Sequence, residues 1–246
     1  MTSSPSPENL THHLEELRNR LIFCVATLLI TISASFFAAK PIIHWIESLS
    51  PIDIAFIQLS PGEVLMTSLK VAILTGIALA APILMYHIFR FMVPGLTHTE
   101  KRLLAVTTVG GTVLFSIGCW FSAQWVVPMA LSFLLDFGTD LATNHIQITH
   151  FIDFCIGLMM MMGLMFELPL VIWALVGLKL LKPHQLAEQW RMVAVGCFLA
   201  SAILTPSQDP FTMMLVGGTI FGLYALSLLP YANQLKAAPQ SPASKN

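Results

Sequence analysis

Phe154 through Leu178 reads FCIGLMMMMGLMFELPLVIWALVGL, and its one charged residue is Glu167. A hydrocarbon core takes about 20 apolar residues per helix, so this run is a membrane span with an acid inside it. An intramembrane carboxylate costs several kcal/mol and normally faces a protein interior or a polar cavity. Pro169 stands two residues further on. It lacks a backbone donor and crowds the carbonyl of Met165, which predicts a bend beside the acid. Glu167 and Pro169 together mark a functional groove within a membrane protein.

The rest of the chain fits that reading. Of 246 residues, 56% are hydrophobic and only 10% charged, with a mean hydropathy of +0.77. Soluble domains carry roughly 25% charged residues, so a water-soluble fold is excluded. Further spans are expected at Leu21–Ala39, Val71–Phe89 and Leu103–Leu135, the last with an outer extension broken near Pro128. Two shorter spans, Met192–Gln208 and Pro210–Leu235, flank a Thr-Pro-Ser-Gln-Asp-Pro turn. The expected fold is an all-α integral membrane protein with six spans, the last two short. Residues 1–20 form an N-terminal segment, 21–235 the membrane domain and 236–246 a disordered tail. Met1–Asn9 also reads as disordered and carries no cleavable signal.

Lys/Arg asymmetry sets the orientation. With a cytoplasmic N-terminus, Arg18, Arg20, Arg90, Lys101, Arg102, Lys179, Lys182, Arg191, Lys236 and Lys245 lie inside, and only Lys40 and Lys70 outside. Both termini are therefore expected in the cytoplasm. Gly218-x-x-x-Gly222 offers a site where a helix could pack closely. The four cysteines are all in apolar stretches and read as small buried or lipid-facing residues.

Two polar segments lie on the cytoplasmic side. His12-His13-Leu14-Glu15-Glu16-Leu17-Arg18-Asn19-Arg20 leads directly into the first span. Leu14, Leu17 and Leu21 recur at helical spacing, which predicts an amphipathic turn on the membrane surface. Glu16 and Arg20 stand in the favourable i,i+4 order, and a plain surface ion pair with topogenic arginines accounts for both. Between spans two and three runs Arg90-Phe91-Met92-Val93-Pro94-Gly95-Leu96-Thr97-His98-Thr99-Glu100-Lys101-Arg102. Glu100 is the one acid in this basic loop, and it equally suits the start of a helix.

Four motifs in this order resemble the TatC family, the multispanning component of the twin-arginine protein translocase. His13 to Arg20 resembles the family's H-L-x-E-L-R-x-R start. Tyr86 to Arg102 resembles its Y-Q-x-W-x-F-x-x-P-G-L-x-x-x-E-[KR]-R loop, with His87 for Gln and Phe89 for Trp. Phe166-Glu167-Leu168-Pro169 resembles F-E-x-P, and Ser201 to Pro210 the S-A-x-x-T-P turn, in a form similar to cyanobacterial and plastid members. Met213 and Ala123 depart from the Gln and Tyr common in the family.

The resemblance implies a concave, glove-like helix assembly that binds twin-arginine signal peptides of folded precursors at its cytoplasmic face. Glu16 and Glu100 are the candidate carboxylates for the two signal arginines, because hydrogen bonds to charged groups contribute roughly 1.5–3 kcal/mol each. Arg18 and Arg20 would orient the acids and anchor the helix, while Phe91 and Pro94 would hold the loop that presents Glu100. Glu167, with Pro169, would meet a polar side chain of small single-span TatA- or TatB-like partners or polarise the bilayer locally. Pro51 and Asp209 would shape outer-face loops. The resemblance further implies self-association, use of the proton-motive force, and residence in a bacterial cytoplasmic membrane or a thylakoid.

No catalytic residue, cofactor, metal site or nucleic-acid interface is expected. His-Glu-x-x-His and Gly-x-Ser-x-Gly motifs are missing from the sequence. Adjacent His12 and His13 point to different helix faces and make a poor metal pair with Glu16. The competing function is a proton-coupled small-molecule transporter that uses Glu167.

Overall fold

The computed structural model describes the backbone of residues 7–51, 55–92, 98–137, 145–177, 181–207 and 209–231. Side chains are described over 15–51, 56–87, 108–137, 146–177, 181–207 and 209–231. The elements are α1 (Pro7–Phe37), α2 (Ala39–Glu47), β1 (Ala55–Ile57), α3 (Glu63–Met92), α4 (His98–Phe121), α5 (Val127–Phe137), β2 (His145–Gln147), α6 (Ile148–Met165), α7 (Leu168–Gly177), α8 (Pro183–Glu188), α9 (Trp190–Leu204) and α10 (Pro210–Leu228). A π-helical turn, Ser122–Val126, joins α4 to α5.

Among the described residues, five helical stretches are long and apolar enough to cross a membrane: Glu15–Phe37, Glu63–His87, Thr108–Phe137, Ile148–Gly177 and Pro210–Tyr231. Trp190–Leu204 is apolar but only 15 residues long. At 1.5 Å per residue α9 is about 22 Å long, short of a full hydrocarbon core of about 30 Å.

The chain divides into two compact units. The first contains residues 1–48, 56–113 and 146–152. Its α1 packs on α3, and Gly76 permits the approach: a Cβ there would lie 2.6–2.8 Å from the side chain and backbone of Ile32. Such a distance excludes any larger residue without movement of α1. α1 is one unbroken helix from Pro7. The amphipathic turn expected before the first span is therefore its N-terminal continuation, and helix starts inside the stretch read as disordered. Leu21, Ile22, Leu29 and Ile30 are exposed, as befits a helix solvated by lipid on its outer side. β1 and β2 pair into a small ribbon, an addition to the all-α expectation.

The second unit contains residues 49–55, 114–145 and 153–246. Here α4 and α6 meet glycine to glycine. A Cβ on Gly118 would come within 2.7 Å of the Met162 carbonyl oxygen and 2.9 Å of the Gly163 Cα. One on Gly163 would reach Cys119 Sγ at 2.6 Å. α10 packs on both α7 and α9. Gly217 lies against Phe198 of α9, whereas Gly218 and Gly222 face open space among the described residues. Within the chain the close approach falls one residue before Gly218-x-x-x-Gly222, because α10 turns Gly217 toward α9.

Near Pro128 the expected break is instead a widened turn. The proline ring crowds the carbonyl four residues back, and the π turn ends two residues before it. The helix then resumes as α5.

Candidate functional site

In the first unit the site begins with the geometry of α1. Residues four apart on a helix share a face, so Glu16 and Arg20 are neighbours, while Arg18 falls roughly 200° around from Glu16. Arg20 Nη2 donates to Glu16 Oε1 in a hydrogen-bonded ion pair. The two side chains differ in access: Glu16 is 40% exposed and Arg20 only 13%. Arg20 Nη1 is buried with no hydrogen-bond partner among the described residues. Arg18 is exposed. Sequence spacing foretold the pair, but not the burial of the arginine or its half-used guanidinium.

Glu100 is the third residue of α4, in its first turn, where the helix dipole favours an acid. Its side chain and that of Phe91, in the last turn of α3, lie outside the described residues, as does Pro94 altogether.

In the second unit the predicted bend is present. α6 ends at Met165 and α7 begins at Leu168. The Glu167 N–H bonds the Leu164 carbonyl at 3.1 Å, an i−3 bond that tightens the chain, and the Glu167 carbonyl accepts from Val171 N at 3.0 Å to restart the helix. Phe166 packs on Phe121 with ring centroids 5.6 Å apart, so the turn is held against α4. Glu167 is 7% exposed. Neither of its carboxylate oxygens has a hydrogen-bond partner among the described residues.

The turn between α9 and α10 is a capping device. Asp209 Oδ1 accepts from Thr212 N at 2.7 Å, and Pro210 occupies the first helical turn. Partial burial alone would raise the Asp209 pKa, but hydrogen bonds, the Thr212 N–H among them, outweigh it and hold the carboxyl below its ordinary value. Ser201 Oγ donates within reach of Phe198 O at 2.8 Å and Met213 O at 3.0 Å, tying the two helices. Ala202, Thr205, Asp209, Pro210 and Met213 line a cavity of about 290 Å³. Pro51 is exposed at a bend before β1.

One cluster had no sequence signal. Glu63 is buried at the start of α3, accepting from Leu59 N at 2.8 Å and Thr149 Oγ1 at 3.0 Å. Thr149 in turn bonds the Thr67 hydroxyl at 2.8 Å. The acid pins α3 to the start of α6 across 86 residues of sequence. Only the Glu63/Thr67 spacing of four was visible beforehand.

Among the described residues no group of three or more His, Cys, Asp or Glu side chains is placed to hold a metal ion.

The family model for the Sec-independent protein translocase protein (TatC) matches residues 12–218. A Sec-independent protein translocase protein TatC from Synechocystis is 37% identical over 216 residues, covering 88% of this chain and 85% of its own length. The chloroplastic TATC of Oryza sativa is also 37% identical, over 86% of this chain, which spans 59% of that longer protein. A crystal structure of a twin-arginine translocase receptor, TatC, superposes with a TM-score of 0.79 at 32% identity, covering 89% of this chain and 98% of that one. With a family match from the N-terminal motif to the last apolar helix and a shared fold along almost its whole length, the chain belongs to the TatC family of protein translocase components.

Proposed function

We propose that this chain is the receptor subunit of a twin-arginine translocase. It binds the Arg-Arg signal peptides of folded precursors at the cytoplasmic face and recruits TatA- and TatB-like single-span proteins for export driven by the proton-motive force. It does so without catalytic chemistry or cofactor of its own. The topology that goes with this function has six spans and both termini in the cytoplasm, with a polar segment at 1–20, a membrane domain at 21–235 and a tail at 236–246. Its membrane is the bacterial cytoplasmic membrane or a thylakoid, and copies of it self-associate.

The observation that carries the proposal is the Glu16 carboxylate. It is half-exposed and already holds a guanidinium, which is the chemistry a signal arginine requires. Glu100, at the head of the next cytoplasmic helix in the same unit, is the second acceptor. Arg18 and Arg20 orient and anchor, and Phe91 and Pro94 hold the loop before Glu100. Glu167 with Pro169 meets a polar group of a single-span partner, and Pro51 and Asp209 keep the outer loops in shape. The solved relative is a twin-arginine translocase receptor, which supports the same role here.

Photocrosslinking of a twin-arginine signal peptide in membranes tests it. Adducts near Glu16 and Glu100 that fade with a twin-lysine peptide and in Glu16→Ala and Glu100→Ala are expected. Equal labelling by both peptides overturns the receptor function. Because the Glu167 carboxylate is buried without a described partner, that result would favour proton-coupled uptake of a small molecule instead.

A further inference from the structure

The carboxylate offered to the signal peptide is not vacant: Arg20 already sits on it. We propose that Arg20 is a resident guanidinium which a signal arginine must displace, so that recognition is an exchange reaction and Arg20 sets the discrimination between arginine and lysine. This exchange rests on the receptor function proposed above.

Three features of the pair lead there. First, access is unequal. Glu16 is 40% exposed while Arg20 is 13% exposed, so an incoming cation reaches the acid without first removing a surface residue. Second, the resident bond is incomplete. Arg20 engages Glu16 through Nη2, and its Nη1 is buried with no partner among the described residues. The resident therefore does not use both terminal nitrogens, whereas an incoming guanidinium in a bidentate fork does. Third, the pair is electrically near neutral. A cation arriving from solution meets an ion pair rather than a bare negative charge, so long-range attraction contributes little and local geometry decides.

Exchange on such a site favours one chemistry. A guanidinium that replaces a guanidinium conserves the planar fork and the weak hydration of the group. An ammonium loses the fork and surrenders a tighter hydration shell, so it cannot displace the resident. A bare carboxylate also favours the fork of a guanidinium, but with no resident to displace its filter is weaker. Arg20 thereby works against the wrong ligand rather than for the right one, a common route to specificity. A plain i,i+4 surface pair also stabilises a helix slightly, but it predicts no change in ligand preference.

Equilibrium binding of labelled twin-arginine and twin-lysine signal peptides to the full-length protein in nanodiscs tests the exchange, with Glu16→Gln, Arg20→Gln and Arg20→Lys. In Arg20→Gln the ratio of twin-arginine to twin-lysine affinity is expected to fall on the order of tenfold, whatever the absolute affinities, so the preference shrinks. Arg20→Lys installs a resident that lysine can replace, and the preference is expected to shrink there as well. This second variant decides the question if Arg20→Gln does not fold. An unchanged ratio in either folded variant, or weaker twin-arginine binding with the ratio kept, overturns the exchange and leaves Arg20 a positioning residue. Loss of twin-arginine binding in Glu16→Gln separates that failure from failure of the receptor function, in which Glu16→Gln binds both peptides as wild type does.

Discussion

Glu16 on α1 and Glu167 in the turn between α6 and α7 are both carboxylates of a membrane protein, yet the chain treats them in opposite ways. Glu16 is half-exposed and ion-paired four residues along its own helix. Glu167 is buried at a helix bend with neither oxygen hydrogen-bonded among the described residues. A surface acid with a local partner is cheap to keep and easy to exchange, which suits reversible capture of a charged ligand. A buried acid with no local partner costs stability continuously, and a chain keeps such a residue when something outside the fold uses it. Under the proposed function, the contrast is that between a group that binds a ligand and a group that meets a partner.

Removing each acid gives the largest test of that contrast. Glu167→Leu is expected to raise the thermal stability of the purified protein by about 2 kcal/mol, because an unpaired polar group in an apolar setting is replaced by one that suits it. The same variant is expected to lose export. Glu16→Ala is expected to lower stability by about 1 kcal/mol or less, since the pair is local and half-exposed, while weakening twin-arginine peptide binding. Unfolding curves in detergent beside peptide titrations decide it. A Glu167→Leu protein less stable than wild type would mean that the fold itself satisfies this acid, and the contrast would fail.

The surroundings of the Glu167 turn supply the next test. Gly118 carries the approach of α4 to the chain just before the bend, where a Cβ would sit 2.7 Å from a backbone oxygen. Gly118→Ala is expected to destabilise by about 1–3 kcal/mol, because backbone rather than a flexible side chain must give way. Gly218→Ala, facing open space, is expected to be neutral or stabilising by up to about 1 kcal/mol, the helix-propensity difference. Equal effects at the two positions, read as shifts in unfolding midpoint, would show that the α4–α6 crossing is slack.

These positions also show what sequence discloses. The bend at Glu167 was legible because its cause is local: a proline two residues after an acid in an apolar run acts within one helical turn. The Glu16–Arg20 pair was legible for the same reason. Glu63 was not, because its acceptor role depends on Thr149, 86 residues away, and no periodicity encodes that meeting. Glycine spacing at Gly218 and Gly222 names no neighbour among the described residues, since a small residue permits close approach without specifying which helix comes near. The close approaches within the chain fall at Gly76, Gly118, Gly163 and Gly217, each facing another helix. At Pro128 the local chemistry is legible but its outcome is not. The freed backbone was absorbed by a π turn rather than by ending the helix.

Asp209 calibrates the comparison with a third carboxylate, one committed to the fold. It caps α10 through Thr212 N, and its pKa lies below the ordinary value near 3.8. A carboxyl depressed in the folded state stabilises the fold fully above its unfolded pKa, and that contribution is lost as pH falls through the lower folded value. Acid unfolding of the wild type should therefore include a component below about pH 4 that Asp209→Asn lacks. Asparagine caps a helix as well as aspartate does, so the variant is expected to match wild type at neutral pH, whereas Asp209→Ala loses about 1 kcal/mol at every pH where the carboxylate is ionised. Identical acid profiles for wild type and Asp209→Asn would mean that the cap does not depend on charge. Asp209 would then be no measure of how strongly this fold holds an acid that it owns, as opposed to one it lends to a ligand.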